Sequence, residues 1–226
     1  MNRRTLAPFA LLVLVVLPLA GGCAATRSAY YNVWEKMGYA KRERLVDNVK
    51  SARDEQQQAK QQFASALEQF RAVVNVKGGD DLNAMYNKLN AQYGECESRA
   101  SAVKDKIGSV KHVGTALFDE WRGEIGQMKE DPSLQGKNQQ LYDRTHQNYD
   151  QMLAKMDAAA GSMDPVLTRF HNRVLFIKGN LNAQAIASLQ GTDVELGGEI
   201  DKLVKEMEDS IAEADQFISQ IEAKKT

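Results

Sequence analysis

The chain has 226 residues, 29 basic against 30 acidic side chains, a formal charge of −1 and only 4 prolines. That balance is a poor one for a general nucleic-acid binder, which needs a basic face against phosphates. From Cys23 on, Ala, Gln, Glu, Lys, Leu and Asp dominate and β-branched runs are scarce, which argues against sandwich and α/β classes and predicts an all-α chain.

The start reads as a bacterial lipoprotein signal. Met1-Asn2-Arg3-Arg4 is short and basic, Leu6 to Leu19 is apolar, Ala20-Gly21-Gly22 are small, and Cys23 follows. Charge orients such a segment, the apolar run enters the membrane, small residues fit the protease, and the thiol receives a diacylglyceryl group. A spanning helix needs roughly 18–20 uninterrupted apolar residues. This run is shorter, and Pro8 and Pro18 lie in or beside it. The alternatives are an uncleaved anchor, or an incidental cysteine after an ordinary cleavage site. Arg3-Arg4 fits a twin-arginine signal poorly. The expected organisation is a signal peptide over 1–22, a lipidated tether over 23–27 and one helical bundle domain over 28–226. Ala24, rather than Asp, after Cys23 fits sorting to the outer membrane. Cleavage leaves 27 basic and 30 acidic residues, a formal −3. With lipid on Cys23, Cys96 has no disulfide partner.

The first helix is predicted over about Ser28 to Val76. Leu45, Val49, Ala52, Gln56, Ala59, Phe63, Ala66, Phe70 and Val73 alternate steps of four and three, the spacing of a stripe on a helix that winds along another. Gln56 is the lone polar member, so Leu there should be neutral or stabilising. Lys77-Gly78-Gly79-Asp80 should end the helix. Asp80 or Asp81 caps the next, whose seam runs Leu82, Met85, Leu89, Tyr93, Cys96, Ala100, Val103, Ile107, Val110, Gly114, Leu117, Trp121, Ile125, Met128. Gly114 on that seam suits a close approach by a neighbour. Lys129 to Ser133 is a stop followed by a start. The third pattern is Leu141, Thr145, Tyr149, Met152, Met156, Ala159, Met163, Val166 or Leu167, Phe170, Val174, Ile177, Leu181, Leu189, with a kink or short break expected at Gly161 to Asp164 before Pro165. Gln190 to Asp193 reads as a turn with a new cap. The last helix carries Leu196, Ile200, Leu203, Met207, Ile211, Ala214, Phe217 and Ile221. The expectation is an elongated antiparallel bundle or coiled coil of three long helices and a shorter fourth, because short turns make sequential helices antiparallel neighbours.

The sequence offers no catalytic constellation, and the expectation is a non-enzyme without cofactor or metal. No phosphate-binding loop and no His-Glu-x-x-His motif occurs. His112, His146 and His171 lack ligand spacing and read as surface residues. Cys96 reads as a small buried hydrophobe, and Met152, Met156 and Met163 as core. The uncharged stretch Asn180 to Leu189 fits two readings equally, an approach surface for another helix or internal packing.

Charge is uneven. From Arg27 to Lys60 stand eight basic and five acidic residues; from Asp193 to Glu222 stand ten acidic and two basic. Trp34, Lys36, Tyr39, Lys41, Arg42 and Arg44 follow Cys23 closely and suit a headgroup interface. The competing readings are aromatic closure of the bundle end and an internal counter-charge for the acidic last helix.

Tyr30 to Gly38 (YYNVWEKMG), Lys41 to Val46 (KRERLV), Leu117 to Trp121 (LFDEW), Met163 to Leu167 (MDPVL) and Asn180 to Ala183 (NLNA) together resemble a family of bacterial helical lipoproteins of unknown function, some members of which are labelled putative DNA repair ATPases. The resemblance spans nearly the whole chain after the signal. It brings no catalytic residues. Gly179 stands where the family pattern has a bulkier residue, which leaves helix continuity open there. The leading expectation is a lipid-anchored periplasmic rod at the inner face of the outer membrane, with a structural or protein-interaction role. A membrane-binding or membrane-shaping module is the alternative, and a DNA-repair association the remote one. The partners expected are the membrane and a protein, with no nucleic acid; a homo-oligomer stays open.

Overall fold

The computed structural model describes residues 22–76, 81–189 and 191–223, with side chains from residue 40 on except at 183, 192 and 193. Every regular element among them is helical: α1 Gly22–Val74, α2 Leu82–Gln127, α3 Pro132–Gly179, α4 Ala183–Ala187 and α5 Thr192–Glu222. The signal peptide expected before Gly22 and the turn expected over Lys77 to Asp80 lie outside the described residues. No described helix is long and apolar enough to cross a membrane. Contacts divide the chain into two units, meeting between Met37 and Gly38. Of the first, residues 22–37 are described, and all are helix. The rest of the description concerns the second.

The α1 stripe is wholly internal: Leu45, Val49, Ala52, Gln56, Ala59, Phe63, Ala66, Phe70 and Val73 are all buried. Leu67 and Val74, beside the stripe, are buried too. Burying one such large apolar side chain is worth roughly 1.5–3 kcal/mol, so the stripe, not helix propensity, holds α1 in place. Caps then define the turns. The Asp81 carboxylate accepts from the Ala84 amide at 3.1 Å and starts α2. Asp131 accepts from the Leu134 amide at 2.9 Å and starts α3, with Pro132 where its missing N–H costs nothing.

Helix α3 runs unbroken through Pro165 to Gly179, so the break considered at Gly161 to Asp164 does not form. Met163, Val166 and Leu167 on either side are buried, and their packing holds the helix together across the lost hydrogen bond. Gly179 is where α3 ends. The expected four helices become five because Asn182 caps a single extra turn, α4, by accepting from the Ala185 amide at 2.8 Å. Its Ile186 is fully buried, with Leu189 just after it, while Asn180 donates to the Phe176 carbonyl at 3.0 Å. The Asn180 and Asn182 side chains are therefore satisfied locally, and Ile186 and Leu189 face inward.

Inter-helix pairs give the register. Along α1 and α2 they are Lys41–Glu120 (2.5 Å), Glu55–Arg99 (2.9 Å) and Gln62–Gln92 (2.9 Å), so the two run antiparallel. Helices α2 and α3 join through Lys104–Asp164, Lys111–Asp157 and Trp121–Asn138. Helix α5 lies between α3 and α1. It meets α3 at Glu195–Arg173, Glu199–Arg169 and Gln220–Asn148, and α1 at Glu208–Lys60, Asp215–Arg53 and Glu222–Lys50.

Two seam positions differ from expectation. Leu141 is 39 % exposed, and its neighbour Tyr142 is buried instead. On α5, Ser210 is fully buried while Ile211 is only partly covered. Ser210 follows Met207 by three and precedes Ala214 by four, so it keeps the alternation. Its hydroxyl donates to the Gln56 side-chain oxygen at 2.9 Å, matching the lone polar residue of the α1 stripe. The Gln56 amide nitrogen, also buried, has no partner.

Candidate functional site

The residues expected at a membrane interface divide into two groups. The side chains of Cys23, Trp34, Lys36 and Tyr39 lie outside the described residues. Lys41, Arg42 and Arg44 are described; Arg42 is exposed, yet it and Lys41 each have a partner in the protein. Lys41 pairs with Glu120 at 2.5 Å, and the Arg42 guanidinium lies 5.2 Å from the Trp121 ring centroid. Arg44 is exposed. The counter-charge expected for the acidic last helix is present, but it comes from Lys50, Arg53 and Lys60. The Arg53 guanidinium is held protonated more firmly still by its hydrogen bonds to Asp215 and Asp54.

Arg42 leads into an aromatic cluster between α2 and α3. Phe118 is the hub: its ring centroid is 4.6 Å from His146, 5.1 Å from Tyr149 and 5.8 Å from Tyr142. Trp121 stacks beside it, and its indole N–H donates to Asn138 at 2.9 Å. Arg122 donates to the Tyr142 hydroxyl at 2.8 Å and lies 5.7 Å from that ring. Two guanidiniums thus flank two rings, an arrangement favoured by the negative ring faces. His146 is half-buried in the cluster, with Nδ1 2.9 Å from the Asp150 carboxylate. It is thus no plain surface residue, whereas His112 and His171 are exposed as expected.

Gly114 makes the cluster possible. A Cβ there would fall 2.3 Å from the Tyr149 hydroxyl oxygen and 2.5 Å from Cζ. The close approach expected at this seam glycine is made by a tyrosine ring. Tyr149 donates to the Val110 carbonyl at 3.3 Å, and burial pushes its phenol up to about 12. Between the helices remains a shallow cleft of about 330 Å³, with Lys111, Thr115, Phe118, Arg122, His146 and Tyr149 among its walls. Its cations are already committed: Lys111 to Asp157, and Arg122 to Tyr142 and Asp119. At the cluster's edge Glu124 is raised above the ordinary carboxylate range, by burial first and then by Glu120, with Arg42 and Lys41 opposing.

The other singled-out residues are structural. Cys96 is fully buried, and desolvation pushes its thiol up to about 12, which suppresses the thiolate. Met152, Met156 and Met163 are fully buried core. Among the described residues no three His, Cys, Asp or Glu side chains gather in a way that could hold a metal ion. The sequence reading missed the Phe118–Tyr142–His146 cluster. Its signal was the spacing of Tyr142, His146 and Tyr149 at four and three, in parallel with the aliphatic row.

No curated protein and no solved structure matches the chain. A family model described as "Protein of unknown function (DUF2959)" matches residues 30–221. That span takes in α1 from Tyr30 through nearly all of α5, and the chain belongs to this family of unknown function.

Proposed function

We infer that this protein is a cell-envelope lipoprotein, tethered through Cys23, whose helices form an elongated antiparallel bundle with a structural or protein-interaction role. One observation carries the reading. Helices of 46 and 48 residues, α2 and α3, pack along each other with most of their apolar stripes buried and their flanking charges cross-paired. At 1.5 Å per residue such helices are about 70 Å long, a suitable build for holding a surface away from a membrane. The signal pattern before Cys23 supports tethering, and Ala24 supports the inner face of the outer membrane.

Replacing Cys23 with Ser and fractionating cells tests the tether: the variant should leave the membrane fraction, and full retention would reject it. Small-angle scattering tests the bundle. A compact domain of this size would have a radius of gyration of about 16–17 Å, and a value in that range would reject the elongated form. A second reading, contact with headgroups, is supported by Arg44, which is exposed near the start of the second unit. Anionic vesicles at low salt should bind the unlipidated domain weakly, and Arg42→Gln with Arg44→Gln should abolish that binding.

A further inference from the structure

Helix α5 ends at Glu222, which pairs with Lys50, while Gln220 bonds Asn148 on α3. Helix α3 starts at Pro132, so several of its turns extend past the end of α5. Counting back from Asn148 by helical steps gives Arg144, Leu141, Lys137 and Leu134. This row is the direct continuation of the flank on which α5 sits. Along α5 the flank is basic, with Arg169 paired to Glu199 and Arg173 to Glu195. Past α5, Leu134 is 53 % and Leu141 39 % exposed, the two spaced seven apart. Lys137 and Arg144 are exposed and make no ion pair among the described residues. Of the acids nearest in sequence, Asp143 accepts from Gln139 at 2.8 Å and Asp131 caps the Leu134 amide at 2.9 Å. The flank thus repeats, without an occupant among the described residues, the apolar and basic features that α5 satisfies higher up.

We propose that Leu134, Lys137, Leu141 and Arg144 form a docking row for an acidic amphipathic helix of a partner protein, which continues the α5 seam toward the start of α3. Two features select that occupant. The seam it prolongs is one that an acidic helix already fills. The two unpaired cations, one helical repeat apart, complement carboxylates and repel a basic helix. They also disfavour a symmetric pairing of this row with itself, because Lys137 and Arg144 would face their own copies. The proposal deepens the protein-interaction reading above and rests on it.

The test uses the purified full chain in detergent and two designed helical peptides of about three heptads, each with Leu at the seam positions. One carries Glu at the flanking positions and the other Lys. Fluorescence anisotropy should show binding of the Glu peptide and at least about tenfold weaker binding of the Lys peptide. Leu134→Gln with Leu141→Gln should abolish binding of both, with circular dichroism and melting unchanged because both leucines are exposed. Lys137→Glu with Arg144→Glu should invert the preference. Equal binding of the two peptides, or none, overturns the proposal. So does a concentration-dependent dimer that disappears in the double Gln variant, since the occupant would then be a second copy. Vesicle binding that is lost in that variant would make the row a lipid contact and overturns it too. None of these readouts depends on Cys23, so failure of the tether and failure of the docking row are distinguishable.

Discussion

The stretch of the bundle alongside α5 and the stretch beyond it are held together differently. Alongside α5 the interior is aliphatic and phenyl, with Phe63, Phe70, Phe170, Phe217, Met152, Met156 and Met163 fully or almost fully buried. Its charges sit outside as cross-helix pairs such as Lys50–Glu222 and Lys60–Glu208. Beyond α5 one helix fewer shares the load, and wide polar rings fill the space. Trp121 and Tyr142 each reach a hydrogen-bond partner and carry an arginine over the ring, and Tyr149 marks the boundary, its ring centroid 6.1 Å from that of Phe217 on α5. A thinner section cannot bury enough aliphatic surface, so it uses side chains that are apolar in the middle and polar at the tip.

Breaking the α5-lined section should cost most. Phe63→Ala is expected to destabilise by about 3–5 kcal/mol, because a fully enclosed ring leaves a cavity between three helices. Denaturant melts measure this, and a loss below about 1 kcal/mol would mean that the seam collapses freely. Leu117→Ala, in the thinner section, should cost less than Phe63→Ala; the reverse order would undo the comparison. Gly114→Ala comes next, at about 1–3 kcal/mol, since the new methyl must displace the Tyr149 ring. Tyr149→Phe on that background should recover part of the loss by removing the closest atom.

The sequence showed the α1 stripe in full, because one alternation persists over it without a glycine or proline. It offered Asp80 or Asp81 as the cap of α2, where Asp81 serves, and at Lys129 to Ser133 it showed a stop followed by a start, where Asp131 is the cap. What it hid depends on the third dimension. Leu141 fits the periodicity but lies past the end of α5, and nothing in spacing tells where a distant helix stops. Lys41 and Arg42 read as free cations until Glu120 and Trp121 are brought beside them. Gln56 looked like an isolated defect because Ser210, which it accepts from, stands 154 residues away.

That pair sharpens the comparison further. Gln56→Leu alone strands the Ser210 hydroxyl but also removes the unpartnered Gln56 amide, so its net cost should stay below about 1 kcal/mol. Combined with Ser210→Ala it should become neutral or stabilising. An additive double variant would show that the two do not interact. The smallest effect is expected at the rim of the aromatic section. Glu124 has a folded-state pKa above its ordinary value, so the native state holds that proton more tightly. Its contribution is present below the ordinary carboxylate range and is lost as pH rises through the raised value. Glu124→Gln should therefore gain stability over the wild type with rising pH across that window. A pH-independent difference between them would contradict the burial of this carboxyl.

The pairing of α1 with α5 sets the order in which the chain can assemble. Lys50 and Glu222 are separated by 172 positions, and Lys60 and Glu208 by 148. Helices α1, α2 and α3 can form hairpins as each emerges, because their contacts close short loops. The α1 stripe must wait for α5, and until then the Gln56 level of the seam is open to water. A polar pair at that level is a soluble marker on an otherwise sticky surface, and it gives the arriving helix one register in which the Ser210 hydroxyl meets the Gln56 side-chain oxygen.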